Sequence, residues 1–170
     1  MSFTDLAKKR CSIRSYETKP VESDKIAAIV EAAHVAPSAA NRQPVRLIQV
    51  ESAEGLANLG RYANLYGAPL AFIVCADAER AWKRPVDGMV STAIDASITC
   101  DHMMIAATDL GLGSVWICAF DPAGVREAFN LPASLVPVNI LAVGHAADEW
   151  KSPERHAVER IPVQELVTKA

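Results

Sequence analysis

Apolar residues along this chain follow two spacings, one helical and one strand-like, which alternate over most of its length. The longest helical stretch runs from Gly88 to Leu112, without proline and with glycine only at Gly88 and Gly111. Val90, Ile94, Ile98 and Ile105 mark one face of it; Ala93, Ala96, Cys100, Met103, Met104 and Ala107 mark another. A helix apolar on more than one side is expected to be buried in a core or held between subunits. Asp95, Asp101, His102 and Asp109 interrupt it too often for a membrane span.

The other elements arrange themselves around that stretch. A short helix is expected over Thr4 to Lys9, with Ser2 or Thr4-Asp5 as cap and Phe3 and Leu6 facing inward. A second spans Ser23 to His34, with Ile26, Ile29, Val30 and Ala33 as its core stripe. Ala36 to Pro44 is a loop bracketed by prolines, each biasing its predecessor away from helix. Leu47–Val50 reads as a strand, and Ser52 opens a helix that reaches Gly60. Leu70–Ala76 is continuously apolar, which predicts a central strand covered on both faces. A short, partly disordered connection is expected over Ala78 to Pro85 before the long helix. Gly113–Ala119 is a third strand, and Asp121-Pro122 starts a helix ending near Asn130. Leu135–Gly144 is a fourth strand; Ala146 to Ala170, with Pro153 and Pro162, is expected on a surface. Alternating strands and helices predict one α/β or α+β domain over residues 1–170, with helices packed on a sheet.

Composition narrows the function classes. A hydrophobic content of 51% and a net charge of −3 suit a soluble globular protein and offer no basic stripe for nucleic acid. Lys8-Lys9-Arg10 is short and falls at an expected helix end, where cations suit the dipole. Met1 to Asp5 lacks a basic region followed by an apolar core, so no secretory leader is expected. Cys11, Cys75, Cys100 and Cys118 form no C-x-x-C pair, which suits a reducing cytoplasm, with Cys75 and Cys100 as small core residues. His34, His102, His145 and His156 are scattered, and no metal site is expected.

Three clusters are candidates for chemistry, since no G-x-S-x-G elbow and no phosphate-binding glycine loop is present. Arg10 and Arg14, with the Ser12 hydroxyl between them, can pair with an anion; a solvated basic patch after a helix would look the same. Pro37 to Pro44 is small, polar and proline-stiffened, as suits a loop lying flat on a planar ligand or an ordinary connection. Trp116 to Asp121 leads from a strand end to a helix start and offers backbone N–H groups to an electron-rich atom. Trp116 and Phe120 would serve equally as core residues.

In this order the clusters resemble the nitroreductase family of FMN-dependent NAD(P)H oxidoreductases. The resemblance rests on R-x-S-x-R at Arg10 to Arg14 and A-P-S-A-x-N-x-Q-P at Ala36 to Pro44. L-G-L-G-S-x-W-I-x-A-F-D at Leu110 to Asp121 and V-P-V-x-x-L-A-V-G-H at Val136 to His145 extend it, over Leu6 to about Leu166. It implies an α+β fold: an α/β/α sandwich with a mainly antiparallel sheet and a long central helix. It also implies an intertwined homodimer with two FMN sites at the subunit interface. Arg10 and Ser12, in a stretch with Cys11, would then hold the FMN phosphate and ribityl chain, and Arg160 would match a late phosphate-binding arginine, with Arg155 second. Arg14 would stabilise charge at the flavin N1/C2=O edge. Pro37, Ser38, Ala39 and Asn41 would reach the flavin of the other subunit; Trp116, Ile117, Cys118 and Ala119 would line its other edge. The implied reaction is ping-pong, from NADH or NADPH through FMN to a nitroaromatic, quinone or related small acceptor. Other flavin chemistry, or a non-enzymatic FMN-binding or redox-sensing module, fits the same motifs. Two departures from the family pattern stand out: Cys118 where Gly or Glu is common, and Val45 where Trp is usual. The excursion that often covers the flavin's open face is nearly absent between Ala78 and Gly88, which implies a more open substrate side.

Overall fold

Leu70–Ala76 is apolar at every position, so both of its faces must be covered. A computed structural model, which describes residues 2–169, shows how the chain does this. The run becomes β2 (Leu70–Asp77), between β1 (Val45–Val50) and β4 (Leu135–Gly144), with β3 (Gly113–Ile117) beyond β4. Every pairing is antiparallel. Leu70, Phe72, Val74 and Ala76 pack toward α2 (Ser23–His34) and α4 (Thr92–Asp109). Ala71, Ile73 and Cys75 pack on the opposite side, against α3 (Ala53–Leu59) and α5 (Pro122–Ala128) through Leu59 and Val125. Phe72 is fully buried, and burial of a side chain that size contributes roughly 1.5–3 kcal/mol. The sheet between two helical layers is the expected α/β/α sandwich.

Several helix ends follow from their capping residues. Ser2 forms a capping box with Asp5 at the start of α1 (Phe3–Lys9), Ser52 caps α3, and Asp121 caps α5 ahead of Pro122. At the end of α4, Gly111 adopts φ +76°. Its N–H donates to the Thr108 carbonyl, and Leu112 N–H donates to the Ala107 carbonyl at 2.8 Å. That is a Schellman stop, completed by the burial of Leu112.

The long helix is shorter than its apolar pattern predicts. It begins at Thr92 rather than Gly88, because residues 83–90 close a turn of their own. Arg84 N–H donates to Met89 O and Gly88 N–H to Arg84 O, each at 2.8 Å, and Gly88 takes φ +74°. Of its two apolar faces one is in the core, through Ala96, Cys100, Met103, Met104 and Ala107. Ile94 on the other is 48% exposed, Ile98 and Ile105 are half-buried, and Ala93 is exposed rather than core-facing. Phe3 also departs from expectation: it is 71% exposed on the rim of an open groove shared with Met104 and Ile105. Val30, expected in the α2 stripe, is partly exposed beside a fully buried Ile29.

Strand ends shift for identifiable reasons. β1 begins two residues early, since Asp77 N–H donates to Pro44 O and the ladder extends to Val45. β3 stops at Ile117, two residues early, because β4 bulges at the level of its next partner. Val74 pairs with Asn139 and Cys75 with Pro137, leaving Val138 unpaired. Pro137 has no N–H to offer and sits at the bulge, where a central strand tolerates it. The chain after β4 lies on the surface as expected, with a 3₁₀ turn (Pro153–Arg155), α6 (His156–Glu159) and α7 (Val163–Leu166). Among the described residues no helix is long and apolar enough to cross a membrane.

Candidate active site

Arg10 to Arg14 is extended and alternates. Cys11 and Ile13 are buried, while Arg10, Ser12 and Arg14 face outward along one edge of the sheet. The segment is fixed to β3 by a parallel bridge between Ser12 and Ser114 and by Ile13 N–H donating to Ser114 O at 3.0 Å. Gly113 permits this approach, because a Cβ there would come within 2.8 Å of the Ile13 side chain. Cys11 borders the resulting cleft but is only 3% exposed, so its thiol belongs to the interior.

That cleft, of about 240 Å³, gathers Arg10, Arg14, Lys151, Arg155 and Arg160 with Ser12 and His156; Glu159 is its one carboxylate. Burial lowers the Arg10 pKa, and the neighbouring guanidinium groups of Arg155 and Arg160 lower it further. Such a concentration of positive charge is stabilised by an anion, and the donor set suits a phosphate monoester. The two late arginines differ in what they do. Arg155 is engaged by backbone, donating to Lys8 O at 3.1 Å, to Ser152 O at 2.8 Å and to Arg10 O. It clasps the tail onto the end of α1. Arg160 is exposed and makes one contact, Nε to His156 Nδ1 at 3.4 Å, which leaves its terminal nitrogens free for a ligand. His156 Nε2 in turn contacts Lys8 O at 3.2 Å, so the two contacts together assign its proton to Nε2.

From this cleft the edge continues to a second one. The Arg14 guanidinium lies 5.8 Å from the Tyr66 ring centroid, and Tyr66 lines an open depression of about 700 Å³ with Ala119. Trp116 is half-buried and donates from Nε1 to Asn139 Oδ1 at 2.7 Å; the Cys118 thiol approaches the same oxygen at 3.8 Å. Asn139 Nδ2 has no partner of its own. Ile117 is buried, so only its backbone can face a ligand, whereas Cys118 and Ala119 are exposed.

Pro37, Ser38, Ala39 and Asn41 are elsewhere. Their loop precedes β1, at the opposite edge of the sheet, three interstrand steps or roughly 14 Å from β3. Asp95 holds the loop: this fully buried carboxylate accepts from Ala39 N–H at 2.8 Å and from the Ser91 hydroxyl at 2.7 Å. The loop needs holding, since Ala40, Asn41 and Gln43 all adopt left-handed φ near +50°. Ser38 Oγ accepts from Gln43 N–H at 2.9 Å and closes it. One chain therefore brings Arg10–Arg14 and Trp116–Ala119 to one edge and leaves Pro37–Asn41 at the other.

Sequence reasoning missed Asp95, Asn139, Lys151, His156 and Tyr66 as parts of this arrangement. Asp95 left a trace: a carboxylate one helical turn from core residues Thr99 and Cys100. The others left none. Among the described residues no group of three His, Cys, Asp or Glu is placed to hold a metal ion.

An antiparallel sheet between helical layers, with a basic cleft at one edge and a strained polar loop at the other, defines a class that comparison identifies. The chain belongs to the nitroreductase family, whose model matches residues 7–64 and 56–145. It is 33% identical over 173 residues to the FMN reductase [NAD(P)H] of Bacillus subtilis, covering 91% of this chain and 70% of that one. It superposes on a nitroreductase family protein from Clostridium difficile 630 with TM-score 0.96, 48% identity and 99% and 98% of the two chains covered. An FMN-dependent nitroreductase from Clostridium difficile R20291 matches at TM-score 0.77 and 28% identity, over 92% and 96% of the chains.

Proposed function

We propose that this chain is a single-domain FMN-dependent oxidoreductase that takes electrons from NADH or NADPH and passes them to nitroaromatic, quinone or related conjugated acceptors. The observation that carries the reading is the cluster of cations around Ser12, opposed by one carboxylate, within the frame of this family. The names of the Bacillus subtilis FMN reductase and the Clostridium difficile FMN-dependent nitroreductase support both the cofactor and the electron donor.

Each residue then has a task that follows from its position. Arg10 and Arg160 neutralise the phosphate, Ser12 supplies a hydroxyl and Arg155 keeps the tail in place. FMN, when bound, would supply the redox chemistry between the nicotinamide donor and the acceptor. Arg14, held against Tyr66, keeps a fixed positive charge where negative charge develops at the N1/C2=O edge. Backbone at Cys118 and Ala119, where β3 has left the ladder, would offer N–H groups to the flavin. Donor and acceptor use the same open face in turn, a ping-pong sequence.

The site is shared between two copies. Pro37, Ser38, Ala39 and Asn41 of one chain complete the flavin site of its partner, since the sheet separates them from their own basic cleft. The exposed face of α4 at Ile94 and the tail residues Val158, Ile161, Val163, Leu166 and Val167, each at least 59% exposed, supply apolar surface for that homodimer. Free thiols at all four cysteines suit the cytoplasm.

Arg10→Ala tests the assignment. Loss of a charged hydrogen-bonding group costs roughly 1.5–3 kcal/mol, so FMN affinity should fall roughly 10- to 150-fold in a fluorescence titration. Wild-type affinity at moderate salt would remove Arg10 from the phosphate site.

A further inference from the structure

A second basic cleft lies outside the residues assigned so far. It encloses about 570 Å³ and is lined by Arg42, Glu79, Arg80, Ala81, Trp82 and Lys83. Three cations face one carboxylate. Among the described residues the nearby ion pair joins Arg84 to Asp87 at 3.2 Å, and Arg42, Arg80 and Lys83 enter none.

The segment bearing these groups, expected from sequence to be partly disordered, is instead anchored by backbone hydrogen bonds. Ala78 N–H donates to Ser134 O at 2.8 Å, Ala81 N–H to Asp77 O at 3.0 Å and Ser91 N–H to Trp82 O at 2.9 Å. Lys83 also bridges to Val90. Ala81 is buried and Trp82 half-buried, so the indole is held on a fixed backbone while part of it faces solvent. A fixed indole offers a stacking surface to a purine. Guanidinium groups beside it match the oxygens of a phosphate monoester.

We propose that Arg42, Arg80 and Lys83, grouped about Trp82, form the docking site for the 2′-phosphoadenosine half of NADPH. The inference rests on the flavin reading above. Arg42 directly follows Asn41, in the loop assigned to the partner's flavin, so the homodimer sets this cleft beside the flavin that the loop reaches. A nicotinamide placed on that flavin would leave the adenosine half to reach back over the loop toward Trp82. Glu79, at the same cleft, can accept a hydrogen bond from the adenine amino group or a ribose hydroxyl. NADH lacks the 2′-phosphate, and the three cations therefore discriminate between the two donors.

The test is calorimetric titration of the FMN-loaded protein with 2′,5′-ADP, 5′-AMP and inorganic phosphate. We expect 2′,5′-ADP to bind at least tenfold more tightly than either of the others. Arg80→Gln and Lys83→Gln should each remove most of that preference and lower the NADPH-to-NADH ratio of kcat/KM by about tenfold. Equal binding of the three probes, or a preference that survives both substitutions, overturns the inference. Because 2′,5′-ADP contains no nicotinamide, its heat of binding does not require flavin reduction. Absence of the preference in wild-type protein that retains FMN overturns this inference alone. A preference that persists in protein unable to bind FMN upholds the cleft and overturns the flavin reading alone.

Discussion

Replacing Asp95 with Ala should both destabilise the protein and loosen its hold on FMN. The carboxylate is fully buried at the start of α4 and accepts two hydrogen bonds, from Ala39 N–H and from the Ser91 hydroxyl. Hydrogen bonds to a charged group are worth about 1.5–3 kcal/mol each, and Ser91, itself fully buried, would lose its acceptor. A loss of about 3 kcal/mol is expected, which for a chain of this size is a drop of roughly 6–12 °C in Tm. The second consequence comes from the loop. Ala40, Asn41 and Gln43 hold left-handed conformations that cost non-glycine residues energy, and Asp95 is the tether to the body of the protein. Without it the loop relaxes, and the contacts assigned to Pro37–Asn41 go with it. Asp95→Asn separates the two effects of shape and charge. It keeps an oxygen for Ala39 N–H and should retain most of the stability. Thermal melts and FMN titrations of the two variants check this; an Asp95→Ala protein within 2 °C of wild type would contradict it.

Breaking the proposed homodimer should release the flavin. The basic cleft and the Pro37–Asn41 loop lie at opposite edges of a four-stranded sheet, so a lone chain presents only half of the proposed contacts. Ile98→Glu places a charge on the exposed apolar face of α4, between Ile94 and Ile105. Burying that charge at an interface without a partner is opposed by several kcal/mol, enough to weaken dimerisation by 100-fold or more. Since the side chain is half-buried in the single chain, the fold itself should survive. Sedimentation measured alongside flavin fluorescence should show monomer appearing and FMN leaving together. Wild-type protein diluted through its dissociation range should behave the same way. A monomer that keeps FMN at unchanged affinity would contradict the shared site.

Much of this architecture is legible in the sequence where the cause is local. Leu70–Ala76 announces a covered strand by composition, and Ser52, Asp121-Pro122 and Gly111 mark helix ends because capping uses neighbours a few residues away. The family motifs name the clusters but not their separation across the sheet. What the sequence conceals depends on partners distant in the chain. Ala39 meets Asp95 across 56 positions, and Arg155 meets Arg10 across 145. Met89 and Val90 continue the apolar helical pattern, yet Gly88 and the turn at Arg84–Met89 delay the helix to Thr92. Spacing alone predicts Phe3 inward, but among the described residues the groove it borders is left open. The motif ranks Arg160 ahead of Arg155, but the backbone carbonyls around Arg155, those of Lys8 and Arg10 distant in the chain, are what separate a clasp from a free cation.

The most direct test of the central claim is an absorption spectrum of the purified protein, recorded before and after anaerobic addition of NADH and then NADPH. The account predicts an oxidised flavin spectrum that bleaches with one or both nucleotides. A protein that takes up no FMN even on prolonged incubation, or whose flavin neither nucleotide reduces, would contradict it.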